Sequence, residues 1–145
     1  MSKRMLMGKT YPEAYKAMAA FDKYFDNTEL VTVQKDLVKI RTSQINGCAY
    51  CIDKHSREAR ENGETEKRIF ALSVWRDTPF FTEEEQAILA LTEEVTLISN
   101  HVSDKTYDRA VELMGEKKVA QVIMAIISMN AWNRIGISTA MQPSV

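Results

Sequence analysis

Only five glycines and three prolines punctuate the 145 residues of this chain, and no stretch alternates apolar and polar side chains as a half-buried strand would. Helical spacing recurs instead, bounded by capping residues. The segment "TYPE" predicts a helix start, with Thr10 as N-cap, Pro12 in the first turn and Glu13 as the reciprocal capping partner. Tyr15, Met18, Ala19, Phe21 and Phe25 follow as its apolar stripe. A second helix is predicted over about 32–45, with Leu37, Ile40 and Ile45 among its apolar positions, stopped by Asn46-Gly47. A third runs from about Cys48 to Asn62-Gly63, and a fourth, capped by Thr65, runs through Trp75 until "RDTPF" breaks it at Pro79. "TEEE" (Thr82 to Glu85) is a second capping box, opening a helix that reaches about Ser99. Ser103 opens another that stops at Gly115, and the last covers about 116–141. With no repeat, linker or low-complexity segment, residues 1–145 read as one all-α domain of about seven helices, long enough to bury a core.

The last helix is apolar over most of its circumference between Val119 and Ile127, which predicts burial all round. In so small a chain it is either the central core helix or one partly covered by another subunit. Met114, Met124, Met129 and Met141 read as packing residues.

Charge narrows the function classes. The 19 basic and 20 acidic side chains leave a net charge of −1, whereas a nucleic-acid binder would carry a basic excess. "MSKRMLMGK" is positively charged, but no apolar run of a signal peptide follows it. The most apolar segment, Val119 to Met129, contains Gln121 and Ser128 and is too short to span a bilayer. The expectation is a cytoplasmic protein with no membrane or nucleic-acid partner. In that compartment thiols are kept reduced, so a close cysteine pair reads as metal binding or redox chemistry.

The only two cysteines stand in "INGCAYCIDKH" (Ile45 to His55). If Gly47 ends one helix and Cys48 begins the next, about 100° per residue puts Cys51 some 60° from Cys48 and His55 some 40° from Cys51. All three then share one narrow stripe. Free amide N–H groups and the macrodipole favour a thiolate at a helix start, which nominates Cys48 as nucleophile. Cys51, one turn from the proton-accepting His55, is the competing choice. Zinc is the alternative reading, but two cysteines and one histidine supply three ligands where a closed site needs four. The only other histidine, His101, lies far along the chain beside Ser103 and reads as a surface or capping residue. The expectation is no bound metal.

"SQINGCAYCIDKHSREARENGE" (Ser43 to Glu64) resembles the core of the carboxymuconolactone decarboxylase-like proteins, in particular the alkylhydroperoxidase D-like subgroup. "LVKIRTSQ", "FALSVWRDTPFFTEEEQAILALTEEVT" and "MNAWNRIGIS" resemble the same subgroup, so the likeness covers most of the chain. It implies an all-helical fold assembled as homo-trimers or homo-hexamers, without haem, flavin or metal. It further implies hydroperoxide reduction by the dithiol, with re-reduction by a thiol donor such as a lipoyl adaptor protein. By motif position Cys51 matches the peroxide-attacking cysteine, Cys48 the resolving one and His55 the relay histidine. The relay glutamate of the family falls on Asp36, one methylene shorter, and a position that can be histidine is Tyr50. Asn133 and Arg134 match the "N-R" of the family's last helix, where Arg134 would neutralise a buried acid or join a subunit contact. Decarboxylases proper act on a lactone acid without this cysteine pair, so the dithiol favours the peroxidase-like branch over them. A general disulfide oxidoreductase, or a redox-sensing oligomer, is the remaining alternative.

Overall fold

The computed structural model describes residues 4–145, and these form seven α-helices: α1 (Met7–Thr10), α2 (Pro12–Tyr24), α3 (Thr32–Asn46), α4 (Ala49–Glu61), α5 (Glu66–Ala71), α6 (Glu83–Thr96) and α7 (Asp104–Ser138). Short 3₁₀ turns lie at Phe25–Asn27, Leu72–Asp77 and Ile98–Asn100, and the described residues contain no strand. The all-α reading therefore holds.

Most of the punctuation acts as its chemistry predicts. Thr82 Oγ1 accepts the Glu85 N–H at 3.2 Å while the Glu85 carboxylate accepts the Thr82 N–H at 2.9 Å, a complete capping box. Thr65 and Ser103 cap α5 and α7 through the N–H groups of Arg68 and Thr106. Gly115, at φ 77° and ψ 157°, interrupts the backbone of α7 where the sequence places a stop. One predicted cap fails. The Thr10 N–H is already bound to the Leu6 carbonyl at 2.9 Å, so Thr10 closes α1 instead of opening α2. Its backbone is helical, and a side-chain cap needs an extended residue. Tyr11 takes the N-cap position without a side-chain bond, and Pro12 supplies the first helical residue.

Helices α3, α6 and α7 form the centre. Val38, Ile88, Leu91, Val119, Val122 and Ile126 make one apolar cluster between them. Leu37 and Ile40, on another side of α3, pack with Ala59 of α4, Ile69 of α5, Leu72, Trp75, Phe81 and Leu89 in a second. Each such fully buried aliphatic side chain contributes about 1.5–3 kcal/mol relative to exposure. Ion pairs stitch the rim: Arg68 joins Glu64 and Glu85 at 2.9 and 2.8 Å, and Arg41 joins Glu93 at 3.0 Å. Burial of the last helix all round is not met within one chain. Val119, Val122, Ile126 and Met129 are buried, but Met124 and Ile127 are 37% and 44% exposed, because α3 and α6 cover only one side of α7. Helix α2 is peripheral, with no fully buried residue. It is tied to α7 by Asp22, which accepts from Ser128 Oγ at 2.7 Å and Trp132 Nε1 at 2.8 Å, and by an edge-on contact between Tyr15 and Trp132.

Candidate active site

A sharp corner carries the cysteines. Gly47 adopts φ 71°, a left-handed conformation that costs an L side chain about 1–2 kcal/mol, and so ends α3. The Cys48 N–H then folds back to the Ser43 carbonyl at 3.0 Å, and Cys48 becomes the N-cap of α4. Its Sγ accepts the Cys51 N–H at 3.3 Å. The two residues are joined as a disulfide across this first turn, with Cα atoms 5.2 Å apart and both side chains buried.

Helix α7 holds the corner in place. Asn133, fully buried, donates to Ser43 Oγ at 3.0 Å and accepts from Asn46 Nδ2 at 3.0 Å. Asn46 Nδ2 also donates to Asn130 at 2.9 Å, and Arg134 donates to the Asn130 side chain at 3.0 Å. Arg134 is exposed and, among the described residues, bonds to Asn130 rather than to a buried acid. One turn on, Gly136 lies against the sulfurs. A Cβ there would meet Cys48 Sγ at 3.2 Å and Cys51 Sγ at 3.5 Å, so the absence of a side chain is what lets α7 approach.

Beyond Cys51 on the same face of α4 stands His55. Its Nδ1 is 2.9 Å from a Glu58 carboxylate oxygen. A carboxylate at Nδ1 fixes the proton on that nitrogen and leaves Nε2 as the acceptor. Burial lowers the His55 pKa from its ordinary value, Glu58 opposes that, and the positive charges of Lys39 and Lys54 reinforce it. The imidazole is thus neutral at neutral pH, the form that accepts a proton. Glu58 in turn is bonded to Lys54.

Asp36 is buried on α3 and accepts a hydrogen bond from Asn62 Nδ2 at 3.0 Å. Burial raises its pKa above the usual carboxylate value, and the charge of Glu58 adds to the rise. The carboxylate bonded to His55 is Glu58, whereas Asp36 is bonded to Asn62. Sequence reasoning passed over Glu58, although its place three residues after His55 on one helix face was a readable signal. His101 is exposed at φ 63°, at the end of the 3₁₀ turn before α7.

A cavity of about 610 Å³ opens over this face. Cys51, His55, Glu58, Tyr50 and Gly136 line it, and Cys48 does not. Tyr15, Phe25, Met129 and Trp132 supply apolar wall, and α1 and α2 form one side. Among the described residues no three His, Cys, Asp or Glu side chains gather as a metal-binding group, and no helix is long and apolar enough to cross a membrane.

These features define a class: an all-helical bundle with a Cys-x-x-Cys disulfide at a helix start and a histidine one turn on. The carboxymuconolactone decarboxylase family model matches residues 12–94, and the chain belongs to that family, within its alkylhydroperoxidase D-like subgroup. The uncharacterised protein YdfG of Bacillus subtilis (strain 168) is 41% identical over 139 residues, 95% of either chain. The structure of a protein of unknown function from Agrobacterium tumefaciens, described as a candidate AhpD antioxidant defence protein, superposes with a TM-score of 0.95. It is 34% identical and covers 99% of both chains. The debrominase Bmp8 shares the fold at a TM-score of 0.86 with 21% identity, covering 96% of this chain and 75% of its own.

Proposed function

We propose that residues 1–145 work as one domain, a cytosolic thiol-dependent peroxidase that reduces hydroperoxides through a dithiol/disulfide cycle. One observation carries this reading: of the two bonded sulfurs, Cys51 stands on the wall of a cavity shared with His55, while Cys48 does not line it. In the reduced enzyme His55 Nε2 takes the Cys51 proton, and the thiolate attacks the terminal, hydroxyl-bearing oxygen of the hydroperoxide. The O–O bond breaks, Cys51 becomes a sulfenic acid, and the alkoxide leaves as alcohol with the proton from His55. The Cys48 thiol then displaces hydroxide from the Cys51 sulfur, giving the disulfide and water. An external dithiol, such as a lipoyl adaptor protein, restores both thiols by exchange.

In this reading Asp36 assists through its charge on Glu58, which holds the imidazole. The reading includes a homo-trimer or homo-hexamer, supported by the exposed Met124 and Ile127 on α7. The test is peroxide consumption with a dithiol reductant by wild type, Cys48→Ser and Cys51→Ser. Catalytic turnover lost in both variants supports the peroxidase. Reversible disulfide formation without peroxide consumption in the wild type sinks it, in favour of a general disulfide oxidoreductase or redox sensor.

A further inference from the structure

The cavity over Cys51 is far larger than the smallest peroxide. Its volume of about 610 Å³ is roughly twenty times the share of one water in the liquid, and it lies within the 300–1,000 Å³ range of sites for organic ligands. Hydrogen peroxide has two heavy atoms and would leave it nearly full of solvent. Tyr15, Phe25, Met129 and Trp132 offer an apolar body a surface to cover.

Its charges are unevenly matched. Lys35 and Lys39, one turn apart on α3, both line the cavity and are half-buried, and among the described residues neither forms an ion pair or a side-chain hydrogen bond; the buried Asp36 interacts with Lys39 through its charge but is bonded to Asn62. Other half-buried cations are neutralised: Lys54 by Glu58, Lys118 by Glu84, Arg41 by Glu93 and Arg68 by Glu64 and Glu85. Two of the cavity's acids are already engaged. Asp22 accepts from Ser128 and Trp132, and Glu58 serves Lys54 and His55. Asp26 and Lys9, of opposite sign, are exposed on the α1–α2 side. Like charges at i and i+4 repel, so an anion between Lys35 and Lys39 relieves a cost that the unliganded helix bears. Lys39 is near enough to His55 to act on its protonation, which puts the cationic end of the cavity beside the reactive end.

We propose that the substrate is an amphiphilic organic hydroperoxide with an anionic head, a carboxylate being the simplest case, held by Lys35 and Lys39 with its hydrocarbon against the aromatic wall. This rests on the peroxidase reading for the word hydroperoxide, but the anionic amphiphile site stands on the cavity alone. The experiment separates the two. Decanoate, which is redox-inert, and decanol, its neutral counterpart, are titrated into the oxidised protein by calorimetry and Trp132 fluorescence.

Decanoate should bind about tenfold more tightly than decanol, as one charge-assisted contact commonly gives. The double variant Lys35→Met/Lys39→Met, its helicity checked by circular dichroism, should lose that preference, and Lys35→Arg/Lys39→Arg should keep it. Equal or tighter binding of decanol by the wild type, no saturable binding of either, or a preference surviving in the methionine variant overturns the proposal. In turnover, a fatty-acid hydroperoxide should show a lower KM than its methyl ester. A decanoate preference without consumption of any peroxide would keep the anion site and overturn the peroxidase reading instead.

Discussion

Asn133→Ala should loosen the corner that presents the cysteines. Asn133 is fully buried and makes two hydrogen bonds of 3.0 Å, to Ser43 Oγ and from Asn46 Nδ2. Neither partner is orphaned by its loss, since Ser43 Oγ still donates to the Lys39 carbonyl at 2.7 Å and Asn46 still donates to Asn130. The full penalty for an unsatisfied buried group is therefore not incurred. Two bonds at about 0.5–1.5 kcal/mol each give roughly 1–3 kcal/mol. The void left by the amide adds about 1 kcal/mol, so the loss is about 2–4 kcal/mol in all. For a chain of this length that is a fall in Tm of about 5–15 °C. Urea unfolding of the oxidised protein measures it directly. A loss below about 1 kcal/mol would refute the idea that this network latches the α3–α4 corner to α7.

Gly136→Ala should separate the redox states. The new Cβ, 3.2 Å from Cys48 Sγ, crowds a sulfur that the disulfide cannot move, at an overpacking cost of about 1–3 kcal/mol. Free thiols rotate away and retain the helix-propensity gain of about 1 kcal/mol, so unfolding with and without reductant should show the oxidised form penalised relative to the reduced. Equal effects on the two forms would remove Gly136 from the site. His55 has a pKa below its unfolded value, so stability is full above pH 6.5 and is lost as pH falls through the folded value. Urea midpoints should fall with pH just below 6.5 in wild type and stay flat there in His55→Gln; parallel curves would contradict a buried neutral imidazole. Asp36 has the opposite sign, its raised pKa meaning stability that is present below 3.8 and lost as pH rises through the folded value. Asp36→Asn, which can still accept from Asn62, should be more stable than wild type at pH 7 and no better at pH 3, and a loss at pH 7 would show the carboxylate to be structurally required.

Local chemistry was the legible part of this molecule. Gly47, Gly63 and the Thr82–Glu85 box mark helix boundaries because a left-handed glycine or a reciprocal cap is decided by a few adjacent residues. The stripe of Cys48, Cys51 and His55 was readable for the same reason, since all three lie within one helix and its cap. Thr10 misled because the short α1 before it had no sequence signature of its own and captured its backbone. What depended on packing between helices was not readable. That Asp36 bonds Asn62 follows from how α3 rests on α4, whereas the Glu58–His55 pair lies within α4 and its spacing was the local signal passed over. Gly136 and the cavity-lining Lys35 and Lys39 acquire meaning only when α7 and α3 come together at the sulfurs, and no spacing along the chain encodes that.

Trapping the first oxidation product in single-cysteine variants identifies the attacking sulfur. Reduced Cys48→Ser and Cys51→Ser are given peroxide with a sulfenate-trapping reagent present, and the adduct is located by mass spectrometry. Because Cys51 shares the cavity wall with His55 and Cys48 does not, Cys48→Ser should carry one adduct at Cys51 and Cys51→Ser none. An adduct at Cys48 with none at Cys51 would mean that the helix start outweighs the histidine, contradicting the assignment of the attacking sulfur.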